Sequence, residues 1–169
     1  QVHPAAAETL AATVVELAQP RPGERAFDLY GGVGLFAAAL APTLGPSGRV
    51  DVVESDPRAV AAGRGAMRRL PQIHFTAAPV QRALRGPLQA AGVDIVVLDP
   101  PRAGAGRAVV AAITDRSPRA VVYVACDPAT LARDVRSFRD RGWRLARLHG
   151  YDLFPMTHHV ECVALLVRV

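Results

Sequence analysis

Lysine is absent from the 169 residues, so all of the positive charge is carried by arginine. The resulting net charge of +5 favours a polyanionic partner, although a soluble enzyme with a basic surface accounts for it equally. There are only two cysteines, Cys126 and Cys162, too few for a disulfide framework. An intracellular, reducing setting is the simpler assumption, and a cytoplasmic protein is expected. No apolar run approaches the roughly 18 residues of a membrane span, and no signal-peptide pattern opens the chain, so no membrane association is expected. Internal repeats and low-complexity linkers are missing as well. The adjacent His158 and His159 make a poor chelating pair with no third ligand in view, so no metal is expected. The chain starts at Gln1 rather than Met and runs almost at once into a helical pattern, which suggests a piece of a longer protein. No obligate protein partner is evident.

What is present is a chain half of whose residues are hydrophobic, enough for one well-packed domain over residues 1–169 and too short for two of ordinary size. Short β-branched runs alternate with alanine-rich helical stretches, the pattern of a parallel sheet covered on both faces. Strands are predicted near Arg25–Leu29, Arg49–Glu54, Gln72–Thr76, Asp94–Leu98, Ala120–Ala125, Arg144–Leu148 and Val160–Val169. Helices are predicted near Ala5–Ala18, Leu35–Leu44, Pro57–Leu70, Val80–Ala91, Gly106–Arg116 and Ala129–Arg141. Only the loop from Tyr151 to His159 separates the last two strands, too little for a parallel crossover. The predicted fold class is therefore α/β: a seven-stranded, mostly parallel sheet ending in an antiparallel hairpin at its edge. That is a Rossmann-like class I methyltransferase architecture.

Phe27 to Gly34 reads FDLYGGVG, a buried strand running into glycines at the start of a helix. Glycine there lets the chain turn sharply and lets a ligand approach the backbone. Gly32 and Gly34 also fit the dinucleotide fingerprint of NAD enzymes, so the loop alone does not choose a cofactor. The next strand ends at Glu54, about twenty residues after the glycines, where a carboxylate can accept hydrogen bonds from ribose hydroxyls. Asp56 precedes Pro57 and is expected to cap the following helix instead.

Ligands of an open α/β sheet bind beyond the carboxyl ends of its strands, and three segments fall there. Asp99-Pro100-Pro101-Arg102 follows the run Ile95–Leu98; two prolines stiffen the backbone and hold the Asp99 and Arg102 side chains in the cleft, or simply make a rigid turn with an Asp–Arg pair. Cys126 ends the next strand, and Asp127-Pro128 should open a helix beside it. The positive end of a helix dipole favours a thiolate, so Cys126 reads as a nucleophile rather than an inert thiol. Glu161 enters the last strand as a charge in an apolar run, either an edge charge or a site acid or base. Cys162, on the opposite face, is expected to pack in the core.

Taken together, FDLYGGVGLF, LDPPRAG, CDPATLARD and FPMTHHVE resemble, in order and spacing, the RNA uracil-C5 methyltransferase family, whose members make 5-methyluridine in tRNA and ribosomal RNA. The resemblance implies S-adenosylmethionine as cofactor and RNA, tRNA or rRNA, as partner. It implies Gln1, Tyr30, Gly32, Gly34, Glu54 and Asp99 as cofactor-binding positions, Cys126 as the nucleophile, Glu161 as the general base and Arg102 as support for the cleft or the target base. It departs from the family's habit at Gly31, where cysteine is frequent, at Leu35, where asparagine is, and at Ala125 and Asp127, where the family commonly reads Ser-Cys-Asn-Pro. The family's full-length members also carry an N-terminal RNA-binding barrel and a central insertion, so this domain is expected to fold and bind cofactor yet methylate RNA weakly alone. Three alternatives stay open: a methyltransferase acting on an exocyclic amine, an NAD-dependent oxidoreductase, and a non-catalytic cofactor-binding module.

Overall fold

A computed structural model of the chain describes residues 4–152 and 160–169. Gln1, His158 and His159 lie outside the described residues, as does most of the segment joining the last two strands. Elements alternate as helix α1 (Pro4–Ala18), strand β1 (Arg25–Leu29), α2 (Leu35–Leu44), β2 (Arg49–Glu54), α3 (Pro57–Ala66), β3 (Ile73–Ala77), α4 (Val80–Arg85), β4 (Ile95–Leu98), α5 (Gly106–Thr114), β5 (Ala120–Ala125), α6 (Pro128–Arg139), β6 (Trp143–Tyr151) and β7 (Glu161–Arg168). They build a seven-stranded sheet in the order β3-β2-β1-β4-β5-β7-β6. β7 pairs antiparallel with both β5 and β6, and the remaining pairs are parallel. The expected terminal hairpin is therefore present, with its second strand inserted next to β5 and its first left at the edge.

Strand alternation divides the core. From β1, β4 and β5, Phe27, Leu29, Val96, Leu98, Val121 and Tyr123 face α4, α5 and α6, where Leu84, Val110, Ile113 and Phe138 receive them. Ala26, Ile95, Val97, Val122 and Val124 face α1 and α2, against Leu10, Val14, Phe36 and Leu40. Each fully buried Val, Leu or Phe contributes about 1.5–3 kcal/mol relative to exposure, which is why continuous apolar strands specify the centre of the sheet.

Two helices are shorter than their sequence pattern. α3 stops at Ala66 rather than near Leu70, because Pro71 disfavours helical geometry at the preceding residue and the chain leaves through turns. α4 stops at Arg85 rather than near Ala91: Gly86 departs from helical geometry and Pro87 follows. β6 is longer than expected, since both its ends pair with β7, Trp143 with Arg168 and Tyr151 with Glu161.

Candidate active site

The carboxyl ends of β1, β2, β4 and β5 open on one side of the sheet, and because β7 runs the other way its first residue opens there too. In strand order across that edge stand Glu54 at the end of β2, Asp28 on β1 and Tyr30 just after it, Asp99 after β4, Cys126 after β5 and Glu161 at the start of β7. Of the side chains singled out in the sequence, Tyr30, Glu54, Asp99, Cys126 and Glu161 are thus gathered along one rim by topology, although they span more than a hundred positions of chain.

The glycine loop is tied down from both sides. Gly31 N–H donates to Val53 O at 3.0 Å, and Gly32 N–H donates to the Glu54 carboxylate at 3.0 Å. Gly34 sits at φ +90°, and a Cβ there would come within 2.9 Å of both Met67 and Phe75. At Gly31, where the related family often has cysteine, a Cβ would meet Val52 at 2.6 Å, so the neighbours in this chain leave room only for glycine. Tyr30 is not a glycine and still adopts φ +61°, a conformation costing about 1–2 kcal/mol for an L residue. Surrounding contacts impose it, and it turns Tyr30 into a cavity lined also by Glu54, Ser55, Gln81, Asp99 and Pro100. Leu35, in place of the frequent asparagine, is half-buried and packs on the α2 side of the core.

Glu54 organises its surroundings. Besides Gly32, its carboxylate accepts from Asp56 N–H at 2.8 Å and from the Ser55 hydroxyl at 3.0 Å. Asp56 caps α3 as expected, accepting from Arg58 N–H at 2.8 Å. Asp99 is anchored by its own N–H, which donates to Leu29 O at 3.2 Å and ties it to the end of β1. Burial, reinforced by the Glu161 charge, lifts the Asp99 carboxyl to about 6. Burial also raises Glu161.

Asp28 was not singled out from the sequence. It is fully buried on β1 and accepts from Ala37 N–H at 2.9 Å, holding the first turn of α2, while its other oxygen meets no partner among the described residues. Burial, with the charges of Asp99 and Glu54 adding to it, lifts its carboxyl to about 7. A readable signal existed: an aspartate inside the otherwise apolar strand RAFDL.

Cys126 is half-buried, and Cys162 is buried as expected. Asp127 caps α6 by accepting from Thr130 N–H at 2.7 Å, with Pro128 in the first turn, so the thiol does stand beside a helix N-terminus. Arg102 is exposed and lines the same small pocket as Cys126, with Pro100, Pro101 and Thr130. Its charge is among the influences lowering the Asp127 carboxyl, after the hydrogen bonds from Thr130. Arg102 therefore belongs to the Cys126 side of the rim, while Asp99 belongs to the cavity. Ala125 pairs with Cys162 in antiparallel register, and continuing that register by one residue sets Cys126 across from Glu161.

The cavity of about 510 Å³ suits a cationic nucleoside. The charges of Asp99 and Glu54 add to the burial that raises Asp28, so a ligand bringing a sulfonium and an ammonium relieves that repulsion. A dinucleotide would bring a pyrophosphate to the same carboxylates, which opposes the NAD alternative. Glu54 keeps lone pairs for ribose hydroxyls while holding Gly32. Among the described residues no group of three or more His, Cys, Asp or Glu is arranged to hold a metal ion, and no helix is long and apolar enough to cross a membrane.

The tRNA (Uracil-5-)-methyltransferase family profile matches residues 79–169. An uncharacterized RNA methyltransferase of Streptomyces avermitilis is 49% identical over 166 residues, covering 98% of this chain and 38% of that protein. One from Streptococcus mutans is 34% identical, covering 99% and 37%. Among solved structures, the Pyrococcus abyssi tRNA (uracil-54, C5)-methyltransferase in complex with S-adenosyl-L-homocysteine superposes with a TM-score of 0.79 at 33% identity, over 95% of this chain and 38% of that one. Aeropyrum pernix fibrillarin, at 19% identity and a TM-score of 0.74 over 93% of this chain and 74% of its own, shares the fold. The chain spans little more than a third of the relatives it matches in sequence. It belongs to the tRNA (uracil-5-)-methyltransferase family, whose members are S-adenosylmethionine-dependent RNA methyltransferases.

Proposed function

We propose that this chain is the catalytic domain of an enzyme that methylates C5 of a uridine in tRNA or rRNA through a covalent adduct between Cys126 and C6 of the base. The observation that carries this reading is the pairing of Ala125 with Cys162, from which Cys126, just past the end of β5, and Glu161, at the start of β7, fall at neighbouring positions on the rim of the acidic cavity. A methyltransferase working on an exocyclic amine has no use for that pair.

Uracil C5 is a poor nucleophile. Attack of the Cys126 sulfur on C6 forms an S–C6 bond and pushes the ring electrons towards C5 and O4, giving an enolate. S-adenosylmethionine would be held by Tyr30, Glu54 and Asp99 with Asp28 behind the loop, and would supply an electrophilic methyl group to C5, with S-adenosylhomocysteine as the thioether leaving group. Once C5 is methylated it carries both the methyl group and its proton. Glu161 removes that proton, the electrons re-form the C5–C6 double bond, and the Cys126 sulfur leaves. Burial raises Glu161, which suits a carboxylate that must take a proton from carbon. A base inside a stack is out of reach of this rim, so the uridine is flipped out. Arg102, exposed beside Cys126, is positioned to meet the flipped nucleotide or its phosphate.

The test is trapping. Incubated with uridine-containing RNA and S-adenosylmethionine, the protein is expected to give a denaturant-resistant protein–RNA species that Cys126→Ala abolishes. Normal turnover by Cys126→Ala would overturn the mechanism.

A further inference from the structure

Asp134 lies on α6, two turns beyond Cys126, and only 1% of it is exposed. Burying a carboxylate costs several kcal/mol unless its lone pairs are filled. Here they are filled, and by a particular set of groups. One oxygen accepts from the Tyr123 hydroxyl at 2.7 Å, from Ala105 N–H at 2.8 Å and from Gly106 N–H at 3.2 Å. The other faces the Arg133 guanidinium at 3.2 Å. Tyr123, from β5, in turn accepts from Ala105 N–H at 3.1 Å. Burial of Tyr123, together with its bond to Asp134, raises the phenol, so it remains a donor at any working pH.

These contacts belong to a longer seam. The Thr130 hydroxyl donates to Arg102 O at 3.0 Å, and Arg133 donates to Ala103 O at 2.6 Å. Gly104 lies so close to α6 that a Cβ would sit 2.5 Å from Thr130 and Arg133 and 2.6 Å from Asp134, and its φ is +79°. The backbone from Arg102 to Gly106 is thereby fastened along one side of α6. That loop begins at Asp99, and α6 begins at Pro128, directly after Cys126 and its capping neighbour Asp127. A buried charge is a costly way to join a loop to a helix when apolar packing of the same volume would be at least as stable, so its return lies in fixed geometry.

We propose that Asp134, with Tyr123, is a positioning residue: by fastening loop 100–106 to α6 it fixes Arg102 relative to the Cys126 thiol. The proposal rests on the reading of Cys126 as nucleophile. Neither residue touches the reacting atoms. Asp134 acts on Cys126 through the rigid first turns of α6, and on Arg102 through the backbone its helix holds.

The test uses Asp134→Asn and Tyr123→Phe in the full chain, with Cys162 as an internal control because it is buried in the core. In both variants amide exchange at Ala105 and Gly106 is expected to speed up at least tenfold. Alkylation of Cys126 by iodoacetamide is expected to rise at least threefold as its pocket loosens, while Cys162 stays protected and affinity for S-adenosylhomocysteine stays within twofold. Attack of Cys126 on RNA should move the other way, slowing tenfold or more with the cofactor KM unchanged. Unchanged exchange and alkylation would overturn the proposal. So would exposure of Cys162 in parallel with Cys126, since that marks general destabilisation. If Asp134→Asn fails to fold, Tyr123→Phe decides by the same readouts. Exchange and alkylation need no RNA, so a wild-type protein that forms no RNA adduct would refute the function proposed above and leave these outcomes to be judged separately.

Discussion

Ala125 and Cys162 face each other across the antiparallel β5–β7 pair, and this register brings Cys126, just past the end of β5, and Glu161, at the start of β7, to one rim. Because the side-chain period of a strand is two, a slip of one residue in β7 would turn Glu161 away from that rim and bury its charge. The register therefore sets where these two side chains stand as well as how the strands pack.

Cys126 and Glu161 are expected to fail differently. Cys126→Ala should abolish adduct and product together. Glu161→Gln should still allow attack and methyl transfer, but the C5 proton has no acceptor, so a methylated adduct accumulates while turnover falls by about 10²–10⁴-fold. Gel-shift of the denatured complex with mass spectrometry of the bound nucleotide reads both. Equal loss of adduct in the two variants would remove Glu161 from the role of base.

The acidic cavity predicts a pH dependence of stability. Asp28 is lifted from 3.8 to about 7 and Asp99 from 3.8 to about 6, both chiefly by burial. The folded chain thus binds their protons more tightly than the unfolded chain does. The stability tied to those protons is full below pH 3.8 and is lost as pH rises through about 6 for Asp99 and about 7 for Asp28. For Asp28 the span corresponds to about 4 kcal/mol at most. Asp28→Asn is expected to raise Tm relative to wild type at pH 8, to lose that advantage towards pH 4, and to weaken cofactor binding. Thermal unfolding across this range, with and without S-adenosylhomocysteine, measures it. A variant whose Tm deficit grows with pH would contradict the assignment.

Much of this site could be read from the chain because its parts follow strands directly. Glu54, Asp99 and Cys126 each come straight after a run of apolar residues, so locating the strands located them. Asp28, Tyr123 and Asp134 were missed because they lie inside elements. Their roles depend on what faces them from elsewhere: Ala37 for Asp28, and the loop at Ala105 for the other two. Periodicity shows that Asp134 interrupts a helix and cannot show which donors it meets. The overlong α3 and α4 are a different case. Pro71 and Gly86-Pro87 are stop signals legible in the sequence, and they prevail over an apolar periodicity that runs past both helix ends.

Two glycines two positions apart on α3 should respond oppositely to alanine. Nothing lies within 4 Å of a Cβ at Gly65, so Gly65→Ala gains helix propensity and is expected to stabilise by up to about 1 kcal/mol. A Cβ at Gly63 would sit 2.5 Å from the Phe75 ring and 2.8 Å from Val33 O, the latter backbone of the glycine loop. Overpacking costs about 1–3 kcal/mol and outweighs the same propensity gain, so Gly63→Ala is expected to destabilise and to weaken cofactor binding through Val33. Urea unfolding with cofactor titration distinguishes them; equal shifts for the pair would mean that α3 does not press on the loop.

Glu54 and Asp56 make a sharper contrast, since they are neighbours with carboxylates and separate tasks. Among the described residues the Asp56 carboxylate bonds within its helix cap, accepting from Arg58 N–H and lying 3.7 Å from the Arg58 guanidinium, and its side chain is half-exposed. Asp56→Ala is therefore expected to cost about 0.5–2 kcal/mol of stability, the usual value of an N-cap, and to leave cofactor affinity within about twofold. Glu54 holds Gly32 of the glycine loop and borders the cavity, so Glu54→Ala removes both a loop anchor and the acceptor for ribose hydroxyls. A hydrogen bond to a charged group contributes about 1.5–3 kcal/mol, so the affinity for S-adenosylhomocysteine should fall at least tenfold. Calorimetry against Tm for the two variants gives the answer directly. If Asp56→Ala lost the affinity and Glu54→Ala kept it, the roles argued from their partners would have to be exchanged.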